Sequence, residues 1–389
     1  MLTTLAVENY RSLRSLVLPL GRVTVVTGAN GTGKSSLYRA LRLLADASRN
    51  GAVAALAREG GLPSTLWAGP ETVARSVRQG RAPVQGTART KPVGLRLGFA
   101  GDEFGYALDL GLPAPERDSY FTLDPEIKGE AVWSGPVLKP STLLAERHNG
   151  IVRTRDQSGA WSDQADRIRL GDSLLSEYGD PRRTPELLLI RERIRSWRFY
   201  DHFRTDAGAP ARSVRIGTRT PVLGHDGGDL AAALRTIEEA GEPDMLAKAV
   251  DHAFPGSRVD IGNHDGRFEL QLRQHGLLRP LGAAELSDGT LRYLLWVAAL
   301  LTPRPPELLV LNEPETSLHP DLLQPLADLI TMAAAKTQIV VVSHSAPLIR
   351  SLEVIAPELD TVALVKDFGE TRIEGQGLLD RPSWTWPKR

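Results

Sequence analysis

The run Gly28-Ala29-Asn30-Gly31-Thr32-Gly33-Lys34-Ser35 has the spacing G-x-x-x-x-G-K-S, and no other segment limits the fold so strongly. It follows a β-branched run, Val23 to Thr27, and precedes Ser36 to Leu44, whose apolar positions have helical spacing. Strand, glycine-rich loop and helix in that order make a phosphate cradle. The glycines let backbone N–H groups turn inward around an anion, and the helix N-terminus adds positive potential. Asn30, Gly31, Thr32, Gly33, Lys34, Ser35 and Ser36 are the expected cradle. Lys34 reaches the outer phosphates, and Ser35 offers its hydroxyl to Mg²⁺.

Two further apolar runs end in polar chemistry. Leu308 to Leu311 reads as a buried strand and stops at Asn312-Glu313-Pro314. A P-loop fold places its Mg²⁺-facing and water-activating groups at such a strand end, so Asn312 is the metal-facing candidate and Glu313 the base. Ile339 to Val342 is a second such strand, ending in Ser343-His344-Ser345; His344 there is positioned to touch a γ-phosphate. Leu286-Ser287-Asp288-Gly289-Thr290 stands at a helix start before Leu291 to Leu301. Alone it is a helix cap, but the Ser287 hydroxyl and the Gly289 amide also make an anion site.

Texture varies along the chain. Val93 to Phe99, Phe104 to Leu110, Leu143 to Glu146 and Ile151 to Arg155 alternate between turn pairs such as Asn149-Gly150 and Ser158-Gly159, which predicts antiparallel hairpins. Ser173 to Phe203 reads as helical, Asp206 to Gly228 as an ordered loop, and Asp229 as the cap of a helix reaching Ala240. Pro320 to Ala335 reads as a helix and Val362 to Val365 as a strand. The chain accordingly divides into an N-terminal lobe over 1–170, a helical insert lobe over 171–285 and a C-terminal lobe over 286–389.

Composition excludes several classes. Without cysteine there are no disulfides, no zinc ribbons and no thiol catalysis. Lys plus Arg and Asp plus Glu number 47 each, which argues against a dedicated polyanion binder. No apolar run approaches a membrane span and no signal peptide opens the chain, so a cytoplasmic location away from membranes is expected. Among Arg182, Arg183, Arg191, Arg193, Arg195, Arg198 and Arg204, interleaved acids favour a salt-bridged surface over a phosphate-contacting face. Trp384 and Trp386 read as a docked or frayed end rather than a base-stacking platform, and His225-Asp226 as a turn.

The motif order, P-loop, Leu-Ser-Asp-Gly, Leu-Asn-Glu-Pro and Ser-His, resembles the SMC–RecF–OLD branch of ABC-type ATPases. Val7-Glu8-Asn9-Tyr10-Arg11-Ser12 and Glu313 to Pro320 are similar to that branch as well. More narrowly, Gly60 to Pro63, Leu66 to Pro70 and Ser196 to Tyr200 resemble its stand-alone bacterial ATPases. The resemblance implies an α/β P-loop NTPase: an ABC/SMC-like head with an antiparallel β subdomain and a helical signature lobe. It implies ATP and Mg²⁺ as ligands and Arg11 as a nucleotide contact. It also implies a head-to-tail homodimer, in which Ser287 and Gly289 complete the other copy's ATP site. Related branches work in DNA repair, chromosome organisation and anti-phage defence, so DNA or an effector protein is the expected further partner. Long coiled-coil arms and a following nuclease domain are missing from the pattern. No Q-loop glutamine is placed, Gln85, Gln157 and Gln164 being those considered.

Three functions compete. A slow ATPase leads. A nucleotide-gated scaffold with little turnover stays open because Asn312 brings no charge where an Asp is usual. A transporter motor is disfavoured by the long separation between P-loop and signature. On charge alone, Asn312→Asp is expected to lower the Mg²⁺ requirement, unless the added carboxylate disturbs Glu313.

Overall fold

Alternating and doubly apolar segments build an eight-stranded antiparallel sheet in the first of two compact units, which comprises Met1–Leu20, Thr27–Ser196 and Val362–Arg389. Its strands run in the order Leu13–Pro19, Leu2–Tyr10, Leu95–Gly101, Phe104–Gly111, Glu126–Ser134, Leu143–His148, Ile151–Thr154 and Asp166–Arg167. The computed structural model describes residues 1–49, 51–70, 94–114, 119–156, 159–162, 166–356, 358–377 and 379–388. Gln85, Gln157, Gln164, Val93 and Ser158 lie outside them.

Burial follows the sequence pattern. Phe104–Gly111 is apolar except for Asp109, which pairs with Arg96, and is buried along nearly its whole length. Ile151–Thr154 alternates exposed and buried, the mark of a strand with one solvated face. The helix Lys34–Ala47 packs on Leu2–Tyr10 and Leu95–Gly101 and buries Leu37, Leu41 and Leu44. Trp384 and Trp386 dock against Trp133 and the small residues Ala100, Ala107 and Ala131. The tail is therefore packed, and a Cβ at Gly98 would meet the Trp384 ring at 2.6 Å.

The second unit, Gly21–Val26 with Trp197–Thr361, holds a parallel sheet. Arg198–Tyr200 pairs with Leu308–Asn312, that strand with Gln338–Val342, and that in turn with Val23 to Val26. The central strands are continuous apolar runs, buried residue after residue as parallel strands usually are. Leu230–Ala240, Pro243–Ala253, Asp288–Leu300, Leu323–Ala334 and Ala346–Ile355 form one core with the alternate strand residues Val25, Leu309, Leu311, Ile339 and Val341, in which Leu234, Leu294, Trp296 and Leu326 are buried. Arg258–His264 and Arg267–Arg273 form a hairpin, with short strands at Arg215–Ile216 and Leu281–Gly282 beside it. Among the described residues no helix is long and apolar enough to cross a membrane.

Two differences from the sequence pattern matter. Ser173 to Phe203 is not wholly helical: after Leu174–Glu177 and Pro185–Ser196, residues Arg198–Tyr200 form a strand. Three residues are too few to show a period, and the strand exists because Leu309 to Leu311 offer it a hydrogen-bonding edge. The compact units also interleave along the chain, unlike the consecutive lobes 1–170, 171–285 and 286–389. Texture records local periodicity, whereas compactness records pairing between distant segments.

Candidate nucleotide site

The P-loop lies in the first unit, between the strand Val23–Gly28 and the helix Lys34–Ala47. Its bend depends on glycine at two points. Gly28 has φ 145°, and a Cβ there would stand 2.4 Å from the Leu364 carbonyl oxygen. Gly33 has φ 106°, and its Cβ would stand 2.4 Å from Thr371 Oγ1. Both torsions are in the range that favours glycine. The Lys34 ammonium donates to the carbonyls of Gly28 at 2.6 Å and Ala29 at 3.1 Å, while its side chain is largely buried. Asn30, Gly31 and Ser35 are exposed, and Ser36 is half-buried.

The loop is braced by a residue the motif does not include. Thr371, fully buried on the strand Glu370–Ile373, donates its hydroxyl to the Thr32 carbonyl at 2.6 Å and lies 2.8 Å from the Ser12 hydroxyl. Its backbone N–H donates to the Ser12 carbonyl at 2.8 Å. Thr371→Val keeps the shape and removes the bond to the loop. It should weaken binding of a fluorescent ATP analogue about fivefold, the worth of one net hydrogen bond of ~1 kcal/mol. A titration indistinguishable from wild type would mean the brace does not act on the cradle.

Arg11 has a positive φ of 51°, and its guanidinium pairs with Glu59 at 2.6 Å. Tyr10 donates to the same carboxylate at 2.7 Å; burial first, then Glu59, pushes its phenol pKa up, so it stays a donor.

The second unit gathers the other motifs at the carboxyl ends of its parallel strands, the edge where open α/β sheets bind ligands. The register pairs Tyr200 with Leu311 and Asn312 with Val342. Asp201, Asn312-Glu313 and Ser343-His344 therefore emerge side by side. Glu313 adopts φ 48°, uncommon for a residue with a Cβ, while its N–H donates to the Val342 carbonyl at 2.7 Å. His344 Nδ1 lies 3.7 Å from Glu313 Oε1 and 3.6 Å from Glu315 Oε1, close enough for ion pairing when the imidazole is charged.

Glu315 has a positional role. Its Oε1 accepts from the Ser343 hydroxyl at 2.7 Å and from the His344 and Ser345 N–H groups at 3.1 Å each. It holds the turn that carries His344. Asn312 Nδ2 donates to Asp201 Oδ1 at 2.7 Å. Its own Oδ1 is buried and has no partner among the described residues. Hard divalent cations take oxygen ligands, and an unpaired carboxamide oxygen at this strand end fits one. The exposed hydroxyl oxygen of Ser35, in the other unit, is chemically suited too.

Ser287 is exposed and caps the helix Asp288–Leu300, its hydroxyl accepting from the Thr290 N–H at 3.1 Å. Arg212 fastens the segment, donating to the carbonyls of Ala283 and Leu286 and pairing with Asp288 at 2.8 Å. A Cβ at Gly289 would lie 3.3 Å from the Ser317 carbonyl, so the helix Asp288–Leu300 and the loop after Glu313 approach closely there.

Arg292 joins these parts from inside. It is buried, and it donates to the carbonyls of Thr316 at 2.6 Å and Phe203 at 2.9 Å. Burial pulls its pKa down, and Asp288 partly offsets this. Arg292→Met should lower unfolding stability by about 2–3 kcal/mol, because the buried Phe203 carbonyl and the half-buried Thr316 carbonyl lose their donors. Urea unfolding with an unchanged slope checks it; a loss below ~0.5 kcal/mol, the range of ordinary surface changes, would contradict it.

Four arginines of the 182–204 stretch pair with acids. Arg191 and Arg195 meet Glu192, Arg193 meets Glu103, and Arg204 meets Asp206. His225 Nδ1 lies 3.0 Å from the Phe199 carbonyl, and Asp226 accepts from Gly228 N–H, as a turn would have it.

The family model described as "AAA domain, putative AbiEii toxin, Type IV TA system" matches residues 23–351, from the P-loop strand to beyond His344. The chain belongs to this AAA-domain family. No curated protein matches it. Among solved structures, an SMC head bound to the C-winged helix domain of ScpA is 15% identical, with 97% of this chain and 98% of that one covered and a TM-score of 0.50. The SMC head domain from Thermotoga maritima is 14% identical, with 97% and 99% covered and a TM-score of 0.47. At these identities the likeness to SMC heads is one of fold. This AAA-domain chain thus has the α/β P-loop fold of an SMC-like head, as the motif order implies.

Proposed function

We propose that the chain is a Mg²⁺-dependent ATPase that dimerises head to tail around two ATP molecules. Lys34 and the P-loop amides of Asn30 to Ser36 hold the β- and γ-phosphates. Glu313 takes a proton from the attacking water, whose oxygen bonds to the γ-phosphorus as the bond to the β–γ bridging oxygen breaks. ADP and phosphate result. His344 donates a hydrogen bond to the γ-phosphate. Ser35 and Asn312 each offer an oxygen that would suit Mg²⁺, which would neutralise phosphate charge. Ser287 and Gly289 of one copy face the ATP of the other. The dimer cycle acts on DNA or on a protein partner.

The observation that best supports this reading is the sheet edge itself. Glu313 and His344, on adjacent parallel strands of an AAA-domain chain, stand 3.7 Å apart. The scaffold alternative rested on the missing charge at Asn312, and Asp201 now stands directly beside that residue. The test combines analogue binding, phosphate release and sedimentation of the wild-type chain with and without ATP. Binding, Mg²⁺-dependent release and an ATP-dependent dimer are expected. Failure to bind the analogue at millimolar concentration would overturn the reading; binding without turnover would restore the scaffold. Release measured with added duplex DNA at low and raised salt separates the outputs, since phosphate contacts weaken steeply with salt.

A further inference from the structure

We infer that Asp201 does, together with Asn312, the work usually given to a single strand-end aspartate; the inference rests on the ATPase reading above. The oxygen and nitrogen of an Asn carboxamide are told apart by their partners. Asp201 Oδ1 lies 2.7 Å from one terminal atom of Asn312. A carboxylate only accepts, so that atom must be the amide nitrogen; an oxygen there would set two acceptors against each other. The carboxamide oxygen is thereby turned the other way, where it is buried and has no partner among the described residues.

The pairing has two consequences. Asp201 fixes which atom of Asn312 is free, and a carbonyl oxygen is the atom a hard cation or its bound water requires. Asp201 also supplies a negative charge one strand over from the position where it is usual. The strand register makes this obligatory: Tyr200 opposite Leu311 sets the next residues, Asp201 and Asn312, at one level. Carboxylate and carboxamide are divided between two strands, and the net charge of the pair equals that of one aspartate. Asp201 is a positioning residue, acting through Asn312.

The arrangement reverses the expectation for Asn312→Asp. A second carboxylate within hydrogen-bonding distance of Asp201 would set two acceptors against each other, and the amide donor that orients the pair would be lost. The variant should therefore bind the cation no better than wild type.

The test reads Mn²⁺ affinity by electron paramagnetic resonance, in the full chain loaded with a non-hydrolysable ATP analogue. Asp201→Asn keeps an acceptor for Asn312 and removes the charge; it should weaken Mn²⁺ about three- to tenfold, the scale of one partly screened charge. Asp201→Ala also frees the carboxamide to rotate and should weaken it further. The exchanged pair, Asp201→Asn with Asn312→Asp, restores one carboxylate and one carboxamide, and should return within about twofold of wild type if the pair is the unit. A merely structural role would leave Mn²⁺ affinity unmoved and give the exchange no power to rescue. Mn²⁺ affinity unchanged in Asp201→Ala, or an exchanged pair no better than Asp201→Asn, overturns the inference while leaving the ATPase reading intact. Failure of the wild-type chain to bind the analogue overturns both.

Discussion

Glu313→Gln is expected to slow ATP hydrolysis by about 10²–10⁴-fold, the usual cost of losing a positioned general base. Gln has the same shape, so the unusual backbone at this residue and its bond to the Val342 carbonyl are undisturbed. The loss is confined to a carboxylate near His344. ATP-analogue affinity should therefore match wild type, and ATP-bound dimers should accumulate because closure no longer ends in hydrolysis. Phosphate release read beside sedimentation checks both halves. A variant that hydrolyses ATP at the wild-type rate would remove Glu313 as the base. One that is slow but binds ATP poorly would place Glu313 in binding instead.

Lys34→Ala should abolish ATP-dependent dimerisation and weaken the ATP analogue by about 100-fold, since a charge-assisted hydrogen bond is worth ~1.5–3 kcal/mol and Lys34 also brings the cradle its only full positive charge among residues 28–36. The ammonium also bridges the Gly28 and Ala29 carbonyls. Part of the effect is then a looser loop, and thermal melting separates the two parts. Lys34→Arg is a poor substitute, because a planar fork does not fit where a compact ammonium points back onto two carbonyls. Unchanged analogue binding in Lys34→Ala would contradict the P-loop assignment directly.

Some of this was legible in the chain. Strand, glycine-rich loop and helix over 23–47 depend on neighbours in sequence, and so does the capped helix at Ser287. The apolar strands before Asn312 and Ser343 were readable for the same reason: a parallel strand covered on both faces is an unbroken apolar run. The motif order was enough to imply the SMC-like fold. The helix and hairpin over 243–273 had no comparable signature, since their strands are half-exposed and mostly polar in alternation.

By itself, then, the sequence determined the chemistry carried by contiguous residues: the cradle, the cap, and the polar strand ends. Only the tertiary structure decided which of these are held, and by what. Asp201 meets Asn312 across 111 residues of sequence, and Thr371 meets Thr32 across 339. Glu315 holds the His344 turn and Arg292 ties the helix Asp288–Leu300 to Thr316, neither within any local period. Such partners are set by strand register and by the need of buried carbonyls and carboxamides for hydrogen bonds. Both are properties of the folded sheet, because a polar group in an extended chain is satisfied by water and selects no partner.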